Sequence, residues 1–181
     1  MEEKTMTEEN DDQPSTLIPV RCELATPSTQ WDISWRLARQ RGLCPELTSF
    51  IFKLLHNILP TGERIHRIKP SSSPLCVMCG HTQPQVCESV THAMVFCVGN
   101  LGIFYLLQNT IKQYIPSIKA QDILTLNYDV SPHLELPLTW VTAATLSSLW
   151  TQRKEGVVSL ARLRGELEEG CLLLQSSKFH N

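Results

Sequence analysis

Charge is scarce in this chain: Asp, Glu, Lys and Arg make up 19% of 181 residues, against about 25% in an ordinary soluble domain. No run of five basic residues occurs, so no compact nuclear-import signal is present. Missing too are the glycine loop of P-loop nucleotide binding and the G-x-S-x-G elbow of serine hydrolases. Tyr128-Asp129 stands without the paired aspartates that a two-metal polymerase centre needs. No stretch alternates apolar and polar residues as a half-buried strand does, so the βαβ surround of a thioredoxin-like Cys-x2-Cys is lacking. A nucleobase deaminase needs H-x-E upstream of P-C-x-x-C; here no H-x-E occurs upstream and Leu75 separates Pro74 from Cys76. These absences predict a protein that is not an enzyme and takes no small-molecule substrate.

Two further absences concern compartment. The N-terminal Met1-Glu2-Glu3-Lys4 is polar and acidic, without the apolar core of a signal peptide. Residues 89–111 hold no Asp, Glu, Lys or Arg, which is long enough to span a bilayer at about 20 residues. His92, Cys97, Asn100, Gln108, Asn109 and Thr110 interrupt that stretch, so a buried helix is expected there and no membrane association. The expected location is intracellular, nuclear or cytoplasmic, where thiols stay reduced.

What the chain does hold is an uneven distribution of charge. Residues 1–32 carry eight acids against Lys4 and Arg21, whereas residues 33–69 carry seven Lys or Arg against Glu46 and Glu63. The first segment, with Pro14, Pro19 and Pro27 and no sustained period, reads as a disordered tail over 1–30. The rest, 31–178, reads as one domain. Its fold class is all-α, a small irregular helical bundle with an inserted zinc loop over 74–97.

The helical signals run in order. Trp31, Trp35 and Ala38 share a face, with Gly42 as a stop. From Pro45-Glu46, residues Leu47, Phe50, Ile51, Leu54, Leu55 and Ile58 follow the i, i+3, i+4 rule, with Lys53, His56 and Asn57 outward and Leu59-Pro60 as the end. Thr61 caps a short helix holding Ile65 and Ile68, with Glu63 in its first turn. Ser89–Tyr114 reads as one long buried helix softened at Gly99 and Gly102, and Ser117–Leu126 as a short one. Leu136–Gln152, apolar on several sides, is the expected centre. Val157, Leu160, Leu163, Leu167, Cys171 and Leu174 trace the last stripe, in a helix that Gly165 and Gly170 weaken by about 1 kcal/mol each relative to Ala.

Seven cysteines are present, and four residues form a pattern. Cys76-x2-Cys79, twelve residues, then His92-x4-Cys97 gives three thiols and an imidazole able to close a tetrahedron around one structural Zn2+. Such a site has no open position for substrate, so the ion holds shape. Gly80 can supply the positive φ of a tight knuckle. Five residues subtend about 140° on an α-helix, so His92 must lie in a frayed first turn or the helix must widen for both ligands to converge. Cys87 and His81 are rival ligands; Cys87 in place of Cys97 gives Cys-x2-Cys-x7-Cys-x4-His. Cys22, Cys44 and Cys171 have no joint role, and the last two read as small hydrophobes.

Three blocks carry a resemblance. The run from Phe50 to Arg67 (FIFKLLHNILPTGERIHR), then Ser73-Pro74-Leu75-Cys76-Val77-Met78-Cys79, then the E-x3-H-x4-C run from Glu88 through His92 to Cys97 follow one another as in the zinc-binding domain behind the reverse transcriptase of LINE-type (non-LTR) retrotransposon polyproteins. With Leu136-Pro137-Leu138-Thr139-Trp140, the resemblance covers about residues 31–178. It implies Cys97 as the fourth ligand, since Cys87 has no place in that pattern. It also implies a segment that helps hold template RNA or target DNA. Neither endonuclease nor polymerase motifs are present, so no catalytic activity follows, and the acidic stretch has no counterpart. A fragment without a role of its own is the limiting case.

Basic side chains give the expected nucleic-acid surface: Arg64, Arg67 and Lys69 just before the knuckle, with Arg36, Arg39, Arg41 and Lys53 further upstream. Trp31 and Trp35 can stack bases, although Trp at helical spacing usually serves a core. Binding to RNA or DNA is expected to be weak and salt-dependent. A protein partner on exposed apolar helix surface is the other expectation.

Overall fold

The computed structural model describes residues 29–79, 86–156 and 159–177. The tail over 1–30, Cys22, Gly80 and His81 therefore fall wholly or largely outside the described residues, as does the side chain of Cys171. Seven α-helices and one π-helical turn are present among the described residues, with no strand beyond isolated bridges. The all-α expectation holds.

Helices α1 (Trp31–Ala38), α2 (Pro45–Leu55) and α3 (Gly62–Ile68) precede the cysteine knuckle. After it come the π turn (His92–Phe96), α4 (Leu101–Lys112), α5 (Ala120–Thr125), α6 (Pro132–Lys154) and α7 (Leu160–Ser177). Helix α6 runs through the middle: it pairs with α7 as a hairpin and also meets α1, α2, α4 and the π turn. One core cluster joins Leu54 of α2, Leu107 of α4, Ile123 of α5, Leu146 of α6 and Leu163 of α7.

Local chemistry sets the boundaries. Pro45 opens α2, where a missing N–H costs nothing, and Glu46 meets the positive end of the helix dipole. The helix stops at Leu55, before Leu59-Pro60, because Asn57 turns left-handed at φ 52°. The Asn57 N–H then bonds the Leu54 carbonyl and the Ile58 N–H the Lys53 carbonyl, both at 2.9 Å, the two bonds of a Schellman ending. Thr61 caps α3 as read, accepting the Arg64 N–H at 3.4 Å. Ser131-Pro132 starts α6 four residues before the apolar run begins.

The expected single helix over Ser89–Tyr114 is broken in two. The π turn ends at Phe96, Cys97 is extended, and α4 starts only at Leu101. Buried Asn100 stands at the break, donating from Nδ2 to the Ala93 carbonyl at 2.5 Å. That bond satisfies a carbonyl that the widened turn leaves without an ordinary helical partner.

Helix α7 approaches α6 closely at Gly170, where a Cβ would lie 2.4 Å from Val141 Cγ2; at Gly165 a Cβ would meet nothing within 4 Å. The two glycines of one helix thus have opposite meanings, and only Gly170 has a packing reason. Among the described residues no helix is long and apolar enough to cross a membrane.

Candidate metal centre

Cys76, Cys79, His92 and Cys97 converge, each buried, with one donor atom apiece and all four atoms within 4.8 Å of one another. The sulfurs of Cys76 and Cys97 are 3.8 Å apart, and those of Cys79 and Cys97 3.6 Å. Cys79 Sγ lies 3.5 Å from His92 Nε2. A disulfide would need sulfurs at about 2.05 Å, so these are free thiols gathered without bonding. The group can hold a metal ion.

Each donor is placed by its own piece of backbone. Cys76 and Cys79 flank a turn whose entry is pinned to the returning chain: Cys76 N–H bonds the Val86 carbonyl and Glu88 N–H the Pro74 carbonyl, both at 2.9 Å. That short antiparallel pairing turns Cys87 outward, where it is exposed. Cys87 is thereby removed as a rival to Cys97. On the other side, the helix widens. The Cys97 N–H reaches back five residues to the His92 carbonyl at 2.8 Å, closing an i→i+5 turn. This is the widening that the His-x4-Cys spacing demands: both ligands come round to one side.

Electrostatics at the cluster follow burial and one cation. Burial pushes the Cys79 thiol up to about 11. Burial also raises Cys97, but the hydrogen bond and charge of Arg153, with the Gly99 N–H, bring it below the ordinary thiol value. His92 is lowered by burial and then by Arg153, leaving a neutral ring able to ligate. A coordinated cation deprotonates a thiol outright, so burial of Cys79 is no obstacle to ligation.

Arg153 had no place in the expected site. It lies in the last turn of α6, buried, with Nη1 at 3.0 Å from Cys97 Sγ and Nη2 at 2.8 Å from Cys76 Sγ. Its Nε donates to Glu88 Oε1 at 2.7 Å, and Glu88 Oε2 accepts the Gly62 N–H at 2.8 Å. Sequence separations of 56 and 77 residues hide these contacts. Read locally, Arg153 is an ordinary cation at a helix C-terminus. Glu88 was visible as part of the E-x3-H-x4-C run, without a role.

The basic residues divide into two sets. On α1 and α2, Trp35 stands 6.4 Å from Trp31, 6.2 Å from Phe52 and 5.0 Å from His56, and Phe52 and His56 are 4.1 Å apart, centroid to centroid. Phe52 is 50% exposed despite its size. Arg39 lies over the Trp35 ring at 5.9 Å, Lys53 is exposed next to Phe52 in sequence, and Arg36 pairs with Glu135. A cavity of about 170 Å³ opens between Trp31, Trp35, Leu55 and His56. On α3, Arg67 pairs with Glu63 at 2.9 Å and Arg64 Nη1 donates to the Asn57 carbonyl at 3.4 Å. Lys69 is exposed just past the helix end. The structure thus assembles the four metal candidates into one site and leaves the seven basic candidates in two surface groups, Arg41 exposed between α1 and α2 in the first, with Arg36 and Arg67 holding carboxylate partners.

Compared with protein-family models, with characterised proteins and with solved structures, the chain matches none.

Proposed function

We propose that this chain is a non-catalytic module in which a structural zinc ion pins a polar loop to a helical bundle that binds nucleic acid. The observation that carries the metal half is the spacing of the donors. Zinc bound at about 2.3 Å to sulfur and 2.0–2.1 Å to nitrogen in a tetrahedron sets S–S edges near 3.8 Å and S–N edges near 3.6 Å. Three of the six donor separations, 3.6 and 3.8 Å between sulfurs and 3.5 Å from sulfur to nitrogen, meet those edges, and all lie within 4.8 Å. Three thiolates and an imidazole favour zinc over the oxygen-loving cations. All four positions are filled by protein, which supports a shape-holding ion over a catalytic one. Native mass spectrometry should find one zinc per chain; a chain that refolds without taking up metal overturns this half.

The nucleic-acid half is supported by the Trp35–Phe52–His56 shelf flanked by Arg39 and Lys53, and by Arg64, Arg67 and Lys69 before the knuckle. An exposed ring, Phe52, edged by the half-buried Trp35 and His56 and flanked by cations, suits unpaired bases and their phosphates. The three-block resemblance to the zinc-binding segment of LINE-type retrotransposon polyproteins points the same way, and makes origin from such a polyprotein our reading of this chain. Binding of single-stranded RNA and DNA, titrated against salt, tests it. Arg64/Arg67/Lys69→Ala should weaken binding and flatten the salt slope, and Phe52→Ala should weaken binding with the slope kept. No binding at low salt, or equal binding by the triple variant, defeats it.

One observation favours a second reading, a docking face for another protein. Phe96 and Tyr105 are 64% and 62% exposed, with Val98 and Leu101 also on the surface around the start of α4. Large apolar side chains grouped on one stretch of surface suit burial against a partner.

A further inference from the structure

Arg153 brings a fixed positive charge into the centre of the molecule, its side chain only 4% exposed. A buried guanidinium needs its donors satisfied, and here they divide among a carboxylate and two sulfurs. Nε and Nη2 face Glu88 Oε1, Nη2 also reaches Cys76 Sγ at 2.8 Å, and Nη1 reaches Cys97 Sγ at 3.0 Å. Neutral thiols are weak acceptors, whereas thiolate is a strong one. The fork therefore matches sulfurs that carry charge, as metal-bound sulfurs do.

Charge bookkeeping gives the reason. Three thiolates, one neutral imidazole and a dication leave a net charge of −1 in a buried site. A residual buried charge is costly unless paired. Arg153 supplies +1 against that centre, and Glu88 orients the guanidinium from the rim while its second oxygen holds the Gly62 N–H at 2.8 Å. The last turn of α6, where the helix dipole favours a cation, carries Arg153 to this place.

We propose that Arg153 is a positioning residue of the metal centre: it donates to two of the three ligand sulfurs, offsets the charge of the loaded site, and makes metal affinity depend on α6. This rests on the metal reading above. The chain is predicted to bind its ion more tightly than the four ligands alone would.

The test compares the full chain with Arg153→Met, Arg153→Lys, Glu88→Gln and, as a control for general weakening of α6, Leu146→Ala, a buried residue of the main core that is not part of the cluster around the sulfurs. Zinc affinity is read by chelator competition, and Co2+ loading by its thiolate-to-metal charge-transfer band. Arg153→Met should lower zinc affinity about 10- to 100-fold and move the cobalt band to lower energy, since sulfur lone pairs freed of hydrogen bonds give up electrons more readily. Arg153→Lys should recover part of both effects, and Glu88→Gln should show a smaller shift in the same direction. Leu146→Ala should leave the band where it is. A folded Arg153→Met, or Arg153→Lys if Met does not fold, with unchanged affinity and band overturns the proposal, as does an equal band shift in Leu146→Ala. A wild-type chain that binds neither ion overturns the metal reading beneath it.

Discussion

The segment from Pro74 to Cys97 and the bundle around α6 are held by different physics. In the first, the backbone on either side of the knuckle pairs through two hydrogen bonds and four donors converge with Met78 packed beside them, and only its last stretch, Val90 and Ala93 to Val95, reaches into the bundle's core. In the second, leucines and isoleucines from five helices interlock. A site held by a few strong bonds fails all at once when one is lost. A core held by many weak contacts loses stability in steps, each about the size of one side chain. The difference teaches that metal removal and core mutation should damage different parts of the same chain.

The largest expected effect follows from removing a ligand. Structural zinc contributes on the order of 10–16 kcal/mol of apparent free energy in small peptides, so Cys76→Ser or chelation should abolish amide protection over the knuckle. Hydrogen exchange should meanwhile find α2 still protected. Equal protection of the knuckle with and without metal would collapse the distinction between the two regions.

Core truncation supplies the opposite arm. Leu107→Ala, at a fully buried site between helices, should cost roughly 2–5 kcal/mol in denaturant titration while metal stoichiometry stays at one. Smaller and opposed effects are expected from the two glycines of α7. Gly170→Ala drives a methyl into Val141 and should destabilise by roughly 1–3 kcal/mol. Gly165→Ala meets open space and should stabilise by about 1 kcal/mol. Thermal melts of both variants that move in the same direction would contradict the close approach of α6 and α7.

The smallest effect is confined to alkaline solution. Burial pushes Tyr128 up to about 12, against about 10 in an unfolded chain. Its folded value is raised, so the stability tied to its neutral form is intact below about pH 10 and is lost as pH climbs towards 12. Tyr128→Phe should flatten the fall in stability across that window, with no change at neutral pH beyond its lost hydrogen bond to Thr142.

The sequence made the ligand set legible because the signal is local: four residues within 22 positions, with an awkward His-x4-Cys interval that already called for a widened turn. The apolar stripe of α2 was readable for the same reason. Its end was not, because Asn57 in a left-handed conformation outranks Pro60 as a stop, and nothing in the residue string announces that choice. The break between the π turn and α4 was hidden as well, since Cys97 to Asn100 is apolar or neutral and fits a helical run until the metal geometry is imposed. Arg153 was beyond reach: its partners are set by how α6 crosses the molecule, which is tertiary information. The shelf of Trp35, Phe52 and His56 was two-thirds visible, Trp35 and the outward His56 read and Phe52 missed because it lies outside the apolar stripe of α2.

The widened turn also makes the site asymmetric towards changes in chain length. A π turn is an α-helical turn that has taken in one extra residue, so the interval between His92 and Cys97 is already overfull. Excising one residue there would leave the ligands four apart, about 40° out of register on an ordinary helix, still side by side. Inserting one would put them six apart, about 120° out of register, with no wider regular coil to absorb it. Shortening this interval by one residue should therefore keep both ligands on one side, and lengthening it by one should not.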